Sequence, residues 1–207
     1  MSLLHQIAPS SGPVRGTLLF LHGLGDSLAG WRFLPEALSL DGLEVVLVQA
    51  PIPYGPGWSW YDFENPKRGR LDIAQSREAV LELLRLLGRP AGRTVLGGFS
   101  QGAVMSIEAG LRGSTTLAGI LAVSGYVPLL EDYPAALSQP GARTPILATH
   151  GPWDSVLPLD MVRPQMEGLR AAGADLLFET YDKAHDLDLE EELPRMRTWI
   201  AERLELV

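Results

Sequence analysis

The chain has 207 residues, 46% of them hydrophobic and 20% charged, a composition that suits a packed globular protein and excludes a disordered one. Lys and Arg number 17 against 25 Asp and Glu, a net charge of −8 that works against a nucleic-acid partner; without cysteine there is no disulfide, thiolate metal site or thiol nucleophile. One domain over 1–207 is expected at this length. The first dozen residues lack a signal-peptide pattern and no apolar run reaches ~18 residues, so the expectation is a cytoplasmic chain without a membrane span.

Taken in chain order, short apolar runs alternate with helical patterns. A strand is predicted at 17–21, a short helix at 33–38 and a strand at 44–49. The stretch 50–70 is rich in Pro and Gly, carries Trp58, Trp60, Tyr61 and Phe63, and reads as a loop. A helix follows at 73–87, with Asp72 as N-cap, Gln75 completing a capping box, and Val80, Leu81, Leu84 and Leu87 on one stripe; Gly88 and Pro90 end it. Next come a strand at 94–97, a helix at 104–111 and a strand at 118–123. A mixed segment, 125–143, holds Pro128, Pro134 and Pro140. A strand at 145–149, a helix at 161–172 with Pro164 in its first turn, a strand at 176–181 and a helix at 190–204 complete the series. Strands this continuous in Val, Leu and Ile are buried on both faces, so the class is α/β: a mostly parallel sheet with helices on both faces. The segment between 125 and 143 is too short for a large lid.

The chemistry centres on Gly98-Phe99-Ser100-Gln101-Gly102, a G-x-S-x-G. The pattern alone is weak, but a buried strand runs into it and a helix runs out, which places Ser100 on a tight strand-to-helix turn. A serine hydroxyl needs a base to take its proton and a carboxylate to orient that base. Of the four histidines, His5 lies near the N-terminus, His22 precedes the serine and His150 ends a strand. His185 alone is both downstream of the serine and on a loop free to reach back. Asp154, on the loop after the preceding strand, gives the order Ser, Asp, His of an α/β-hydrolase. Asp182, Asp186 and Asp188 flank His185 and read as solvated charges beside a helix start. A tetrahedral intermediate also needs N–H donors: one from Gln101, after the nucleophile, and one from the loop Leu21-His22-Gly23-Leu24-Gly25-Asp26. His22 itself is expected to be structural. No spacing supports a metal site, and no cofactor is expected.

These blocks, with Ser124-Gly125-Tyr126 and the run from His150 to Pro158, resemble the carboxylesterase/lysophospholipase family that includes the acyl-protein thioesterases. The resemblance implies an α/β-hydrolase fold and a carboxylesterase acting on small-molecule esters, or on thioesters and lysophospholipids. It implies Ser100, Asp154 and His185 as the triad, with Leu24 and Gln101 as oxyanion donors. The family has glycine before its histidine where this chain has Ala184, which requires a negative φ there. The competing expectations are an α/β-hydrolase-like binding module without turnover, and a peptidase or amidase, for which the sequence identifies no extended cleft.

Overall fold

The computed structural model describes residues 2–133 and 137–206. A seven-stranded sheet forms its centre: β1 (His5–Ala8), β2 (Gly16–Leu21), β3 (Leu43–Val48), β6 (Thr94–Phe99), β7 (Gly119–Val123), β8 (Ile146–His150) and β9 (Leu176–Thr180). The spatial order is β1-β3-β2-β6-β7-β8-β9, with β1 antiparallel to β3 and every other pairing parallel. A small hairpin, β4 (Ile52–Tyr54) with β5 (Gly57–Ser59), stands apart.

The period-2 alternation of each strand sorts its side chains onto two layers. Leu18, Phe20, Val45, Leu47 and Leu121 face one side, where α1 (Leu34–Leu38) and the C-terminal helix α5 (Glu192–Leu204) deliver Leu34, Leu38, Met196, Trp199 and Ile200. Leu19, Leu21, Val46, Val48 and Leu96 face the other, where α2 (Pro66–Leu87) and α3 (Gln101–Arg112) cover them. Farther along that face, α4 (Leu159–Ala171) packs Val162, Met166 and Leu169 against Ile120, Ala122 and Ile146. Each fully buried aliphatic side chain contributes about 1.5–3 kcal/mol, so the two layers supply the driving force. The chain moves outward from β2 to β3, then returns to place β6 on the other side of β2. That reversal opens a crevice beyond the carboxyl ends of β2 and β6, where open α/β sheets bind ligands.

Several expectations need correction. Helix α2 starts at Pro66, not 73: Asn65 is its N-cap, accepting from the Arg68 N–H at 3.2 Å, and Pro66 occupies the first position, where no N–H is needed. Asp72 lies inside the helix, buried, and its Oδ2 accepts from the Asp62 N–H at 3.2 Å. The buried stripe of α2 is Ile73, Ser76, Val80 and Leu83, with Leu81, Leu84 and Leu87 packed at its margin. Helix α4 begins earlier than expected, so Pro164 falls within its interior rather than its first turn. The aromatic stretch is partly strand, because β5 contains Trp58. Strand β1 was not anticipated. In the segment after β7, 3-10 turns span Leu130–Asp132 and Pro140–Arg143; Pro134 lies outside the described residues.

Candidate active site

Ser100 directly follows β6 and is the N-cap of α3, with φ 54° and ψ −118°. A residue with a side chain is strained at positive φ, and such strain persists only where neighbours over-determine it. Two glycines permit the turn. A Cβ on Gly102 would sit 2.0 Å from the Leu21 carbonyl oxygen, and one on Gly98 would sit 2.4 Å from the carbonyl of Gly102. The Ser100 N–H donates to the Val123 carbonyl at 2.9 Å, tying the turn to β7. Ser100 is 9% exposed, with its hydroxyl at the crevice.

His185, on the loop after β9, brings Nε2 to 2.9 Å from Ser100 Oγ and Nδ1 to 2.6 Å from Asp154 Oδ2. A carboxylate only accepts, so Nδ1 carries the proton and Nε2 presents its lone pair to the serine. Asp154, 3% exposed, is fixed in turn: its Oδ1 accepts from the N–H groups of Val156 at 2.9 Å and Leu157 at 2.7 Å. Ala184 is not among the residues with positive φ, so its methyl group is accommodated, as the negative φ expected for alanine there requires. Phe99 packs on the imidazole, ring centroids 5.1 Å apart.

The rival carboxylates are placed elsewhere. Asp182 accepts from the Trp153 indole, and Asp188 caps the approach to α5 through the N–H groups of Glu190 and Glu191. Asp186 is exposed, and its backbone carbonyl accepts from Lys183 Nζ. Among the other histidines, His5 bonds the Leu3 carbonyl. His22 is buried, donates from Nδ1 to the Gly23 carbonyl at 2.6 Å and accepts at Nε2 from the Ala50 N–H at 3.1 Å. His150 donates from Nε2 to the Leu157 carbonyl at 2.8 Å and lies 3.4 Å from Asp154 Oδ2. Burial pulls both their pKa values below the ordinary imidazole value, so each is held neutral.

Leu24 and Gln101 border the same cavity as Ser100 and His185. Among the described residues, neither of their N–H groups donates to another backbone group. The Gln101 side chain, by contrast, makes three hydrogen bonds: Oε1 accepts from the Trp60 N–H at 2.9 Å and Ser59 Oγ at 3.1 Å, and Nε2 donates to the Tyr61 carbonyl at 3.1 Å. Trp58 exchanges backbone bonds with the 22–26 loop, donating to the Asp26 carbonyl and accepting from Gly25. The aromatic stretch therefore braces both loops at the crevice. This role was invisible in the sequence, because Gln101 and Trp60 are distant along the chain.

The cavity measures about 580 Å³ and is lined mainly by apolar groups, among them Phe63, Val156, Leu157 and Met161. Tyr61 and Tyr126 join hydroxyls at 3.0 Å on its wall, and burial raises both phenol pKa values. A larger groove of about 710 Å³ runs between α2 and α3, but its Arg85, Arg89 and Arg112 are each paired to Glu82, Glu44 and Glu108, leaving no convergent reactive set. Among the described residues, no cluster of His, Asp and Glu has the makings of a metal site. No helix there is long and apolar enough to cross a membrane.

The sheet order, the serine turn at its switch point and the placement of the helices define an α/β-hydrolase fold. Esterase PE8 shares that fold, with a TM-score of 0.86 at 24% identity over 98% of this chain and 99% of that one. Residues 4–204 match the phospholipase/carboxylesterase family, and the chain belongs to it as a hydrolase. It is 35% identical over 172 residues to acyl-protein thioesterase 1 of Yarrowia lipolytica, covering 73% of this chain and 75% of that protein. It is 37% identical over 156 residues to acyl-protein thioesterase 1 of Schizosaccharomyces pombe, covering 69% and 70%.

Proposed function

We propose that the protein is a serine hydrolase that cleaves carboxylic esters and acyl thioesters through an acyl-enzyme. The observation that carries this is the continuous hydrogen-bond chain from Ser100 Oγ through His185 to Asp154, opening on an apolar cavity. Ser100 Oγ attacks the acyl carbonyl as His185 Nε2 takes its proton; Asp154 holds the imidazolium that forms. The N–H groups of Leu24 and Gln101 receive the oxyanion, supported by the N-terminal end of α3. Collapse expels the alcohol, which takes the proton from His185; a thiol leaves more readily because a thiolate is a better leaving group. Water then attacks the acyl-Ser100 carbonyl, giving a proton to His185, which passes it to Ser100 Oγ as the C–Oγ bond breaks and the carboxylic acid is released.

The acyl group fits the apolar wall of Phe63, Val156, Leu157 and Met161. Thioester cleavage is supported by the names of the two fungal relatives, each an acyl-protein thioesterase. The test compares wild type with Ser100→Ala on nitrophenyl esters and acyl thioesters of matched chain length. Both activities should vanish together in the variant. A folded Ser100→Ala protein that hydrolyses either class at the wild-type rate overturns the reading.

A further inference from the structure

Lys183 is one of two lysines in the chain and is 5% exposed, two residues before His185. Its Nζ donates to Ser124 Oγ at 2.9 Å, to the Asp186 carbonyl at 2.9 Å, and to the Glu192 carboxylate at 2.6 and 2.7 Å. Its own carbonyl accepts from the Trp153 N–H at 3.2 Å, on the loop that carries Asp154. A Cβ on Gly151 would lie 2.1 Å from that same carbonyl oxygen, so the two loops meet as closely as glycine allows. Ser124 directly follows Val123, whose carbonyl receives the Ser100 N–H. One side chain and its peptide thus touch the loops that carry His185 and Asp154 and the end of β7, whose Val123 carbonyl holds the Ser100 N–H.

We propose that Lys183 is a positioning residue, its ammonium group bracing the His185 loop against Ser124 and Glu192 so that the His185–Ser100 separation is set. The proposal rests on the reaction proposed above. A buried ion pair is a poor device for stability, since well-packed apolar residues often do as well or better. What an apolar side chain lacks is a set of donors pointing at Ser124 Oγ and the Asp186 carbonyl at once. Glu192 neutralises the charge and also accepts from the Asp188 N–H at 3.0 Å, anchoring the brace to the start of α5. Displacement of a reacting group by about 1 Å costs on the order of a hundredfold in rate.

Two variants test this. Lys183→Met/Glu192→Gln removes both charges together while keeping an acceptor for the Asp188 N–H. Ser124→Gly removes the CH₂OH group and with it the hydroxyl that Lys183 contacts, at φ 50°, where glycine is more at ease than serine. The measurements are kcat and KM for a nitrophenyl ester, melting temperature, and the proton NMR signal of His185 Nδ1–H. The double variant should lose about tenfold to a hundredfold in kcat with KM nearly unchanged, and its His185 signal should shift or disappear by exchange. Ser124→Gly should melt at or above the wild-type temperature yet lose several-fold in kcat. A folded double variant with wild-type kcat and an unmoved His185 signal overturns the brace. If the double variant does not fold, Ser124→Gly decides: full kcat with an unmoved signal overturns it. A wild type without Ser100-dependent hydrolysis sinks the proposed reaction instead, and the His185 signal then still judges the brace.

Discussion

Asp154 uses both carboxylate oxygens, one for two backbone N–H groups and one for His185. Asparagine would keep its oxygen on Val156 and Leu157 and turn its NH₂ toward His185, forcing Nδ1 to accept and Nε2 to carry the proton. The imidazole then has no lone pair for Ser100. Asp154→Asn should therefore lower kcat by on the order of 10⁴ with little change in melting temperature. Asp182→Asn, at a carboxylate that accepts from the Trp153 indole, should stay within a few-fold. Assays of the two variants side by side check the choice of carboxylate, and a silent Asp154→Asn contradicts it. Gln101 separates backbone from side chain in the same way. Gln101→Ala keeps the proposed oxyanion amide but strands the buried Trp60 N–H, at about 1–3 kcal/mol for an unpaired buried group, while Ser59 Oγ still donates to the Tyr61 carbonyl at 2.8 Å. Its melting temperature should fall clearly, while kcat holds within about tenfold. A normally stable variant that loses 10³ in kcat would make the side chain itself catalytic.

At the scale of elements, the start of α2 is the sharpest test of how the chain folds locally. Asn65→Ala should destabilise by about 1 kcal/mol in urea unfolding, as loss of an N-cap does. An unchanged midpoint would mean that the cap is not formed. The six parallel strands were legible because runs such as 17–21 and 44–49 are continuous in apolar residues and buried on both faces. Strand β1 escaped notice because His5-Gln6-Ile7-Ala8 is short and half-exposed at the sheet edge, with little apolar pattern to read. The first turns of α2 were hidden for a similar reason: Lys67, Arg68, Gly69 and Arg70 show no helical stripe, so the first obvious carboxylate, Asp72, looked like the cap. Ser100, Asp154 and His185 were picked out by motif and order, which survive in one dimension. The Gln101 brace and the Lys183 cluster depend on partners far apart in sequence, with separations of 41 and 59 residues. No spacing rule reaches that far.

For the molecule as a whole, two buried histidines set an acid limit. His22 and His150 have folded pKa values lowered by burial, so they are neutral in the native state and take up protons on unfolding. Stability is then fully present above the unfolded pKa of ~6.5 and is lost as pH falls toward the folded values. Each group contributes up to about 1.4 kcal/mol per pH unit in that window. Urea unfolding at pH 7.5 and 5.5 should show lower stability at 5.5; equal stability at both would contradict the neutral assignment. The cavity opens to solvent, and 3-10 turns span Leu130–Asp132 and Pro140–Arg143 in the segment between β7 and β8, which is too short for a multi-helix lid that a lipid surface would displace. Rates on soluble esters should show no step at the substrate's micellar threshold, and a sharp rise there would point to a lid. The proposed chemistry converges on one atom, Ser100 Oγ. The most direct measurement is reaction with a fluorophosphonate followed by peptide mass mapping. The adduct should fall on Ser100, form slowly in His185→Ala and be absent in Ser100→Ala. A folded, hydrolytically active protein in which Ser100 stays unlabelled would contradict the account.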